Sequence, residues 1–384
     1  MSRKARATAP ITVSTLRQGI DTGTEQGQEY YNLPVSSHAD MMYKVLGTGT
    51  ELALLPQKAG LVSNTQQIEI YENRNRRKIV AKGHNTETII EVSDLDKLIG
   101  SNKSAKKMLQ LVLIKMNEQA YDYENGLHSD FVTFNLQELV DIGYYSSIRA
   151  ARRGYKDAMS ILTDLKVQAK YKGKKNVEEA TAEGVVVLFP TAIVENNQCS
   201  IRITRDISWK PLMRFFTILP RFAFQLGNRG FDLLYTIFYL ARQNTQAIKE
   251  KGYFDIGFRT IQQRLDLPNE RDNKDPQRTI KKPIESAIEE IEQQARIAGH
   301  SGYLKITPVY NSNAGIKEYL DKGYIRVELK DIFSHPFIEQ GEHRERMITA
   351  NRKRQQGIVD KAKAAAMQKK LEAEQETEQA AVQG

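Results

Sequence analysis

One cysteine, Cys199, stands in 384 residues. An intrachain disulfide is excluded, and a reducing cytoplasm is the expected compartment. A lone thiol cannot build a zinc site. The six histidines (His38, His84, His128, His300, His335 and His343) are scattered, with no pair at metal-ligand spacing. No GxxxxGK(S/T) occurs, so a P-loop has no support. Long apolar runs are missing as well. Residues 201–219 are interrupted by charges, and 231–241 are too few to span a bilayer. The basic start MSRKARATAP leads into no apolar core, so a secretory signal is not expected. Together these gaps point away from membrane, metal and nucleotide chemistry. The expectation is no cofactor, no metal and no catalytic residue.

The chain is instead rich in positive charge, +9 formally with a pI near 9.3. Hydrophobic residues make up 40% and charged residues 27%, enough to bury a core and stay soluble. A basic balance alone says little about partners; the placement of the cations says more. The informative stretch is 135–175. NLQELVDIG reads as a short helix ending in a tight turn, YYSSIRAARRGYKDAMSILTDLK as a longer helix, and VQAKYKGKK as a strand and hairpin tip. In the long helix Ile148, Ala151, Tyr155, Met159 and Leu162 recur at helical spacing as an apolar stripe. Arg149, Arg152, Arg153 and Lys156 fall at i, i+3, i+4 and i+7 and form a basic stripe beside it.

Around this stretch the order is helix (104–119, with Lys106 and Lys107 outside its apolar face), strand (131–134), helix, helix, then strands at 167–171, 184–189 and 198–203. That is the winged-helix order. An aromatic segment at 207–226 is too apolar for a linker and reads as packing between domains. The order then repeats about 125 residues later: an apolar helix at 230–243, a strand at 253–256, a short helix at 258–265, a long helix at 277–298, and strands at 303–310 and 324–329 around a loop. Asp275-Pro276 is a helix-start signal, and Ile280, Ile284, Ile288, Ile291 and Ala295 form that helix's buried stripe. Pro283 interrupts it. Either the helix kinks, or it starts at Pro283 and the cations lie on the loop before it. The fold class is α+β: two tandem winged-helix domains (101–206 and 207–341) behind a disordered arm (1–28) and an extension with a hairpin (29–100), followed by a charged helical or disordered tail (342–384).

A helix-turn-helix offers the N-terminal half of its second helix to base edges in the major groove. Here that half holds Tyr144, Ser146, Ser147, Arg149, Arg152 and Arg153, with Lys156 behind them. Arginine pairs bidentately with guanine, and lysine or arginine holds phosphates. Lys172, Lys174 and Lys175 are placed to track the backbone from a wing tip, and Arg278, Lys281 and Lys282 are the corresponding cations of the second unit. The bland alternative in each case is a solvated cationic face or turn. Tyr144 and Tyr145 read as packing the turn or touching a phosphate.

The doubled order of elements, with ISWKPLMRFFTILPRFAFQLGNRGFDLLYTIFYLAR at 207–242, resembles the replication initiator (Rep) proteins of iteron-containing, theta-replicating bacterial plasmids. The resemblance covers about 101–337. It implies two DNA-binding domains on adjacent major grooves of a direct repeat, with Arg149, Arg152 and Arg153 as first-domain readers and Arg278, Lys281 and Lys282 at the second-domain reading positions. It also implies a homodimer formed through the first domain, origin opening, and recruitment of host helicase-loading proteins. The expected function is sequence-specific binding of double-stranded origin DNA to initiate plasmid or mobile-element replication. Two rivals stay open: a winged-helix transcriptional regulator, and an enzyme that nicks or recombines DNA through Tyr144 or Tyr145.

Overall fold

The computed structural model describes residues 29–35, 61–171 and 186–349 apart from short gaps, with the backbone alone over 61–104 and 166–186. The arm 1–28, Lys172, Lys174 and Lys175, and the tail beyond 349 lie outside the described residues. The fold is α+β, made of helices and small antiparallel sheets. Among the described residues no helix is long and apolar enough to cross a membrane.

The first strand, β1 (Tyr30–Val35), lies where scattered apolar residues suggest short helices. Its partner is far away in sequence: β13 (Phe215–Pro220), with Val35 opposite Phe215. Next come β2 (Leu61–Ser63), β3 (Gln66–Asn73), β4 (Arg76–Gly83) and β5 (Thr86–Val92). The predicted hairpin is β3–β4, closed by the Asn73–Arg76 pair.

The first helical unit opens with α1 (Leu95–Gln119), one continuous helix that starts well before the predicted one at 104–119. A two-residue hairpin, β6 (Tyr121–Asp122) and β7 (Gly126–Leu127), leads to β8 (Phe131–Asn135), α2 (Leu136–Asp141) and α3 (Ile148–Leu162). Strand β9 (Lys166–Tyr171) pairs with β10 (Val186–Val187), as the sequence suggests. Its other edge joins β5, so this hairpin extends the N-terminal sheet, whose order is β10-β9-β5-β4-β3-β2. The hairpin that completes the sheet of β8 comes later: β11 (Thr191–Glu195) and β12 (Gln198–Arg202), in the order β11-β12-β8. Alternation explains it. Val132 and Phe134 of β8 and Cys199 and Ile201 of β12 are all buried on one face.

The second unit runs α4 (Asn228–Ala241), α5 (Thr245–Lys251), β14 (Tyr253–Gly257), α6 (Phe258–Arg264), a long helix over 277–297, β15 (Leu304–Val309), α8 (Ile316–Lys322) and β16 (Tyr324–Leu329). The regular part of the long helix is α7 (Lys282–Ile297). Its sheet order, β14-β16-β15, repeats that of the first unit, with the strand before the helices paired to the last strand of the hairpin. The loop expected between the two hairpin strands carries α8, because Tyr319 stacks on Phe258 at 4.2 Å between ring centroids.

One apolar cluster runs through both units and the segment between them. Helix α1 is the reason. Lys106 and Lys107, read from sequence as outward-facing, are only 5% and 6% exposed. A helix covered on one side by β1, α3 and β8 and on another by the second unit has no solvated face left for them. Lys106 Nζ lies 3.1 Å from Asp232 Oδ2 on α4. Lys107 Nζ donates to the Leu226 carbonyl. Burial lowers the Lys107 pKa from its ordinary 10.5 to about 8, with the Asp232 and Glu290 carboxylates opposing the shift.

A pH dependence follows. Between about 8 and 10.5 the unfolded chain holds a proton on Lys107 that the folded chain has released, so this residue makes stability rise with pH across that window. The stability of the parent relative to Lys107→Met should increase by on the order of 2–3 kcal/mol between pH 7 and pH 10.5. Urea unfolding of both chains at the two pH values measures it; an unchanged difference would refute it.

Candidate nucleic-acid interface

The interface is built on α2, the turn at 142–147, and α3. Asn135 starts α2 with a capping box: its side chain accepts from Gln137 N at 2.8 Å, and Glu138 Oε1 accepts from Asn135 N at 2.9 Å. The turn is closed by Gly143 N donating to Val140 O at 2.9 Å and Tyr144 N to Leu139 O at 3.0 Å. Gly143 has φ +74°, and a Cβ there would sit 2.6 Å from Gln225 Cγ. The left-handed backbone favours glycine, and a Cβ would also push the exposed Gln225 side chain aside. Gly143→Ala should therefore cost about 1–3 kcal/mol, read as a lower thermal midpoint; an unchanged midpoint would mean the turn tolerates a side chain.

Ser147 caps α3, its Oγ accepting from Ala150 N at 3.3 Å. The predicted apolar stripe is buried at Ala151, Tyr155, Met159 and Leu162, and Ala158 and Ile161 join it. Ile148 departs from the prediction. It is 37% exposed, because the first turn of α3 projects past the core. Tyr144 and Tyr145 stack at 4.4 Å, and Tyr144 also lies 5.7 Å from Phe224. A Cβ on Gly154 would overlap the Tyr145 ring, which explains a glycine in mid-helix. Both tyrosines are thus half-buried packing groups of the turn.

The basic stripe divides. Ser146, Arg149, Arg153 and Lys156 are exposed, and Arg153 lies 4.0 Å from Asp157. Arg152 is half-buried, with Nη2 donating to Asn197 Oδ1 at 2.6 Å. Asn197 lies at the tip of the β11–β12 hairpin, where Asn196 and Asn197 take φ +47° and +65°. Two successive positive φ values are what a type I′ turn requires. The Asn197 carbonyl also accepts from Leu136 N at 2.8 Å. One tip residue therefore holds the start of α2 and the flank of α3. Sequence reasoning missed this hairpin, although TAIVE and QCSIR around Asn-Asn carry its signal. On the far side, Lys115 Nζ lies 3.0 Å from Glu138 Oε2 and ties α1 to α2.

The second unit's long helix carries Arg278, Lys281 and Lys282 near its start. Asp275 Oδ1 accepts from Arg278 N at 3.2 Å, the expected N-cap. Between Gln277 and Lys281 the helix widens into a π turn, with Lys282 N donating to Gln277 O five residues back. Pro283 accounts for it: proline supplies no N–H and crowds the carbonyl four residues earlier, and a wider turn relieves both. Lys282 keeps helical angles (φ −55°, ψ −45°), so the cations stand on one continuous helix. Arg278 and Lys282 are exposed. Lys281 is held inside the unit, 4.7 Å from the Tyr310 ring centroid, 5.4 Å from that of Tyr319, and 3.9 Å from Glu285 Oε1.

Cys199, on β12 behind α3, is fully buried, and burial pushes its thiol pKa up to about 12, so it carries no thiolate at neutral pH. No known protein-family pattern matches the chain, and no curated protein does. Two solved structures of RctB overlay on it in part. RctB domains 2-3 (RctB-155-483) are 10% identical, with 70% of this chain and 93% of that chain covered and a TM-score of 0.37. The selenomethionine derivatives of domain 2 and domain 3 of RctB are 11% identical, with 72% and 94% covered and a TM-score of 0.35.

Proposed function

We propose that the chain is a non-enzymatic, sequence-specific double-stranded DNA-binding protein, an initiator of plasmid or mobile-element replication. In this reading, 101–206 and 207–341 are two winged-helix domains that dock on origin direct repeats and promote origin opening. The observation that carries it is the α2–turn–α3 arrangement. A helix capped by Ser147 and packed through its apolar stripe leaves Arg149, Arg153 and Lys156 exposed beside Asp157 and Ser160. Three cations on a rigid helix preceded by a tight turn suit the major groove, where arginine reads guanine and lysine holds phosphate. The tip at Asn196–Asn197 stands beside them as the wing. The second unit, with the same element and strand order, supplies Arg278 and Lys282. Two such units docking on successive grooves span about one helical turn, roughly 34 Å.

Tyr144 and Tyr145 speak for packing and against nucleophilic attack, since their rings stack on each other and on the turn. Arg152 and Lys281 act in this reading by bracing the hairpin tip and the aromatic cluster of the second unit. The initiator role, the homodimer and the host helicase-loading partner rest on the resemblance to plasmid Rep proteins. Footprinting on the DNA flanking the gene tests the reading. Protection of several direct repeats beside an A·T-rich tract is the expected result. A single protected inverted repeat at a promoter would favour a transcriptional regulator, and a covalent phosphotyrosine adduct on supercoiled DNA would overturn the non-enzymatic reading.

A further inference from the structure

Two lysines buried beside each other in the first helix of the first unit call for an explanation. Burying an ammonium is costly unless it is paired, and an apolar pair would hold α1 against α4 at less cost. What Lys107 does that an apolar side chain cannot is join three elements at one atom. Its Nζ donates to the Leu226 carbonyl and faces the rings of Tyr144 and Phe231, each 5.4 Å away. Tyr144 belongs to the turn that aims α3. Leu226 directly precedes Gly227, whose N–H donates to Glu290 Oε1 at 2.5 Å. Glu290 is on α7, on the same helix as Arg278 and Lys282. The Glu290 carboxylate also lies close against Gly230 at the start of α4.

An apolar layer follows the same path. Gly143 packs on Gln225, Tyr144 lies 5.7 Å from Phe224, and Phe224 lies 5.5 Å from Phe231. These contacts join the turn before α3 to the start of α4, and Glu290 joins that start to α7. A joint of directional hydrogen bonds, the one from Lys107 buried and the one between Gly227 and Glu290 at the exposed edge of the core, favours discrete geometries over a continuous range.

We propose that Lys107 and Glu290 are positioning residues that fix the offset between the two cation-bearing helices, and with it the number of base pairs this chain accepts between the halves of its DNA site. The inference rests on the proposed two-unit DNA reading. One inserted base pair moves the second half-site by about 3.4 Å and rotates it by roughly 35°, which a fixed joint cannot follow and a loosened one can.

The test uses the full chain, the footprinted site, and versions of that site with one or two base pairs inserted between its halves. The parent is expected to lose on the order of 100-fold in affinity for one inserted base pair. Lys107→Met and Glu290→Ala should each bind the natural spacing within about 10-fold of the parent and lose less than about 10-fold on insertion. Variants that keep the parent's insertion penalty would overturn the proposal. So would a parent that tolerates the insertion while still binding the natural site, an outcome that leaves the DNA-binding reading intact. A parent that binds no duplex would overturn that reading itself. Should Lys107→Met fail to unfold cooperatively, Glu290→Ala, at a half-exposed position, decides the matter alone.

Discussion

Replacing Arg149, Arg153 and Lys156 together by alanine should lower affinity for the footprinted duplex by on the order of 1,000-fold at 0.15 M salt, at roughly 1–3 kcal/mol per contact. The fold should be unaffected, since all three side chains are exposed and, among the described residues, only Arg153 approaches an acid, Asp157, at the limit of an ion pair. The salt dependence should fall with the affinity: three fewer phosphate or base contacts reduce the slope of log K against log salt by about 2.7. Isothermal binding at three salt concentrations gives both numbers. A control variant replacing Lys249, Lys251 and Arg296, exposed cations on other helices, changes the net charge equally and should retain most of the slope. If the two triple variants behaved alike, the effect would belong to net charge and α3 would lose its assigned place in the groove.

The second large effect concerns the junction. Lys106→Met should destabilise the chain by about 3–5 kcal/mol, because it leaves the Asp232 carboxylate, 7% exposed, without the ammonium 3.1 Å away. The paired replacement Lys106→Met with Asp232→Leu should recover most of that loss, since desolvating both charges offsets much of what their attraction contributes. A denaturant-unfolding cycle over the four chains measures the coupling. A single variant as stable as the parent would show that Lys106 is not needed to hold the Asp232 charge. A double variant as unstable as the single would show that the pair contributes more than continuum reasoning allows.

Much of the candidate interface was legible from local sequence. Helix α3 and its buried stripe followed from spacing, with Ile148 the exception. Asp275 capped the long helix as its Asp-Pro signal predicts, and the isoleucine stripe behind Pro283 is buried throughout. These features depend on residues within one or two turns of each other, which is the range over which periodicity and capping act. The winged hairpin was harder. Residues 167–171 read as a strand and 191–195 went unread as one, and alternation does not say which partner each takes. The choice of β5 for one and β12 for the other was made by sheet assembly.

The sequence by itself determined which helix carries the cations, where it starts, and that a second unit repeats the order. Only the tertiary structure decided which cations stay free to meet a ligand. Arg152 is held by Asn197, 45 residues on, Lys281 by tyrosines on the far side of its hairpin, and Lys106 by Asp232, 126 residues away. A lysine or arginine looks the same in sequence whether its long stem ends in water or against a buried carboxylate. Its surroundings are set by elements brought in from distant parts of the chain, and the balance between desolvation and pairing is struck only there.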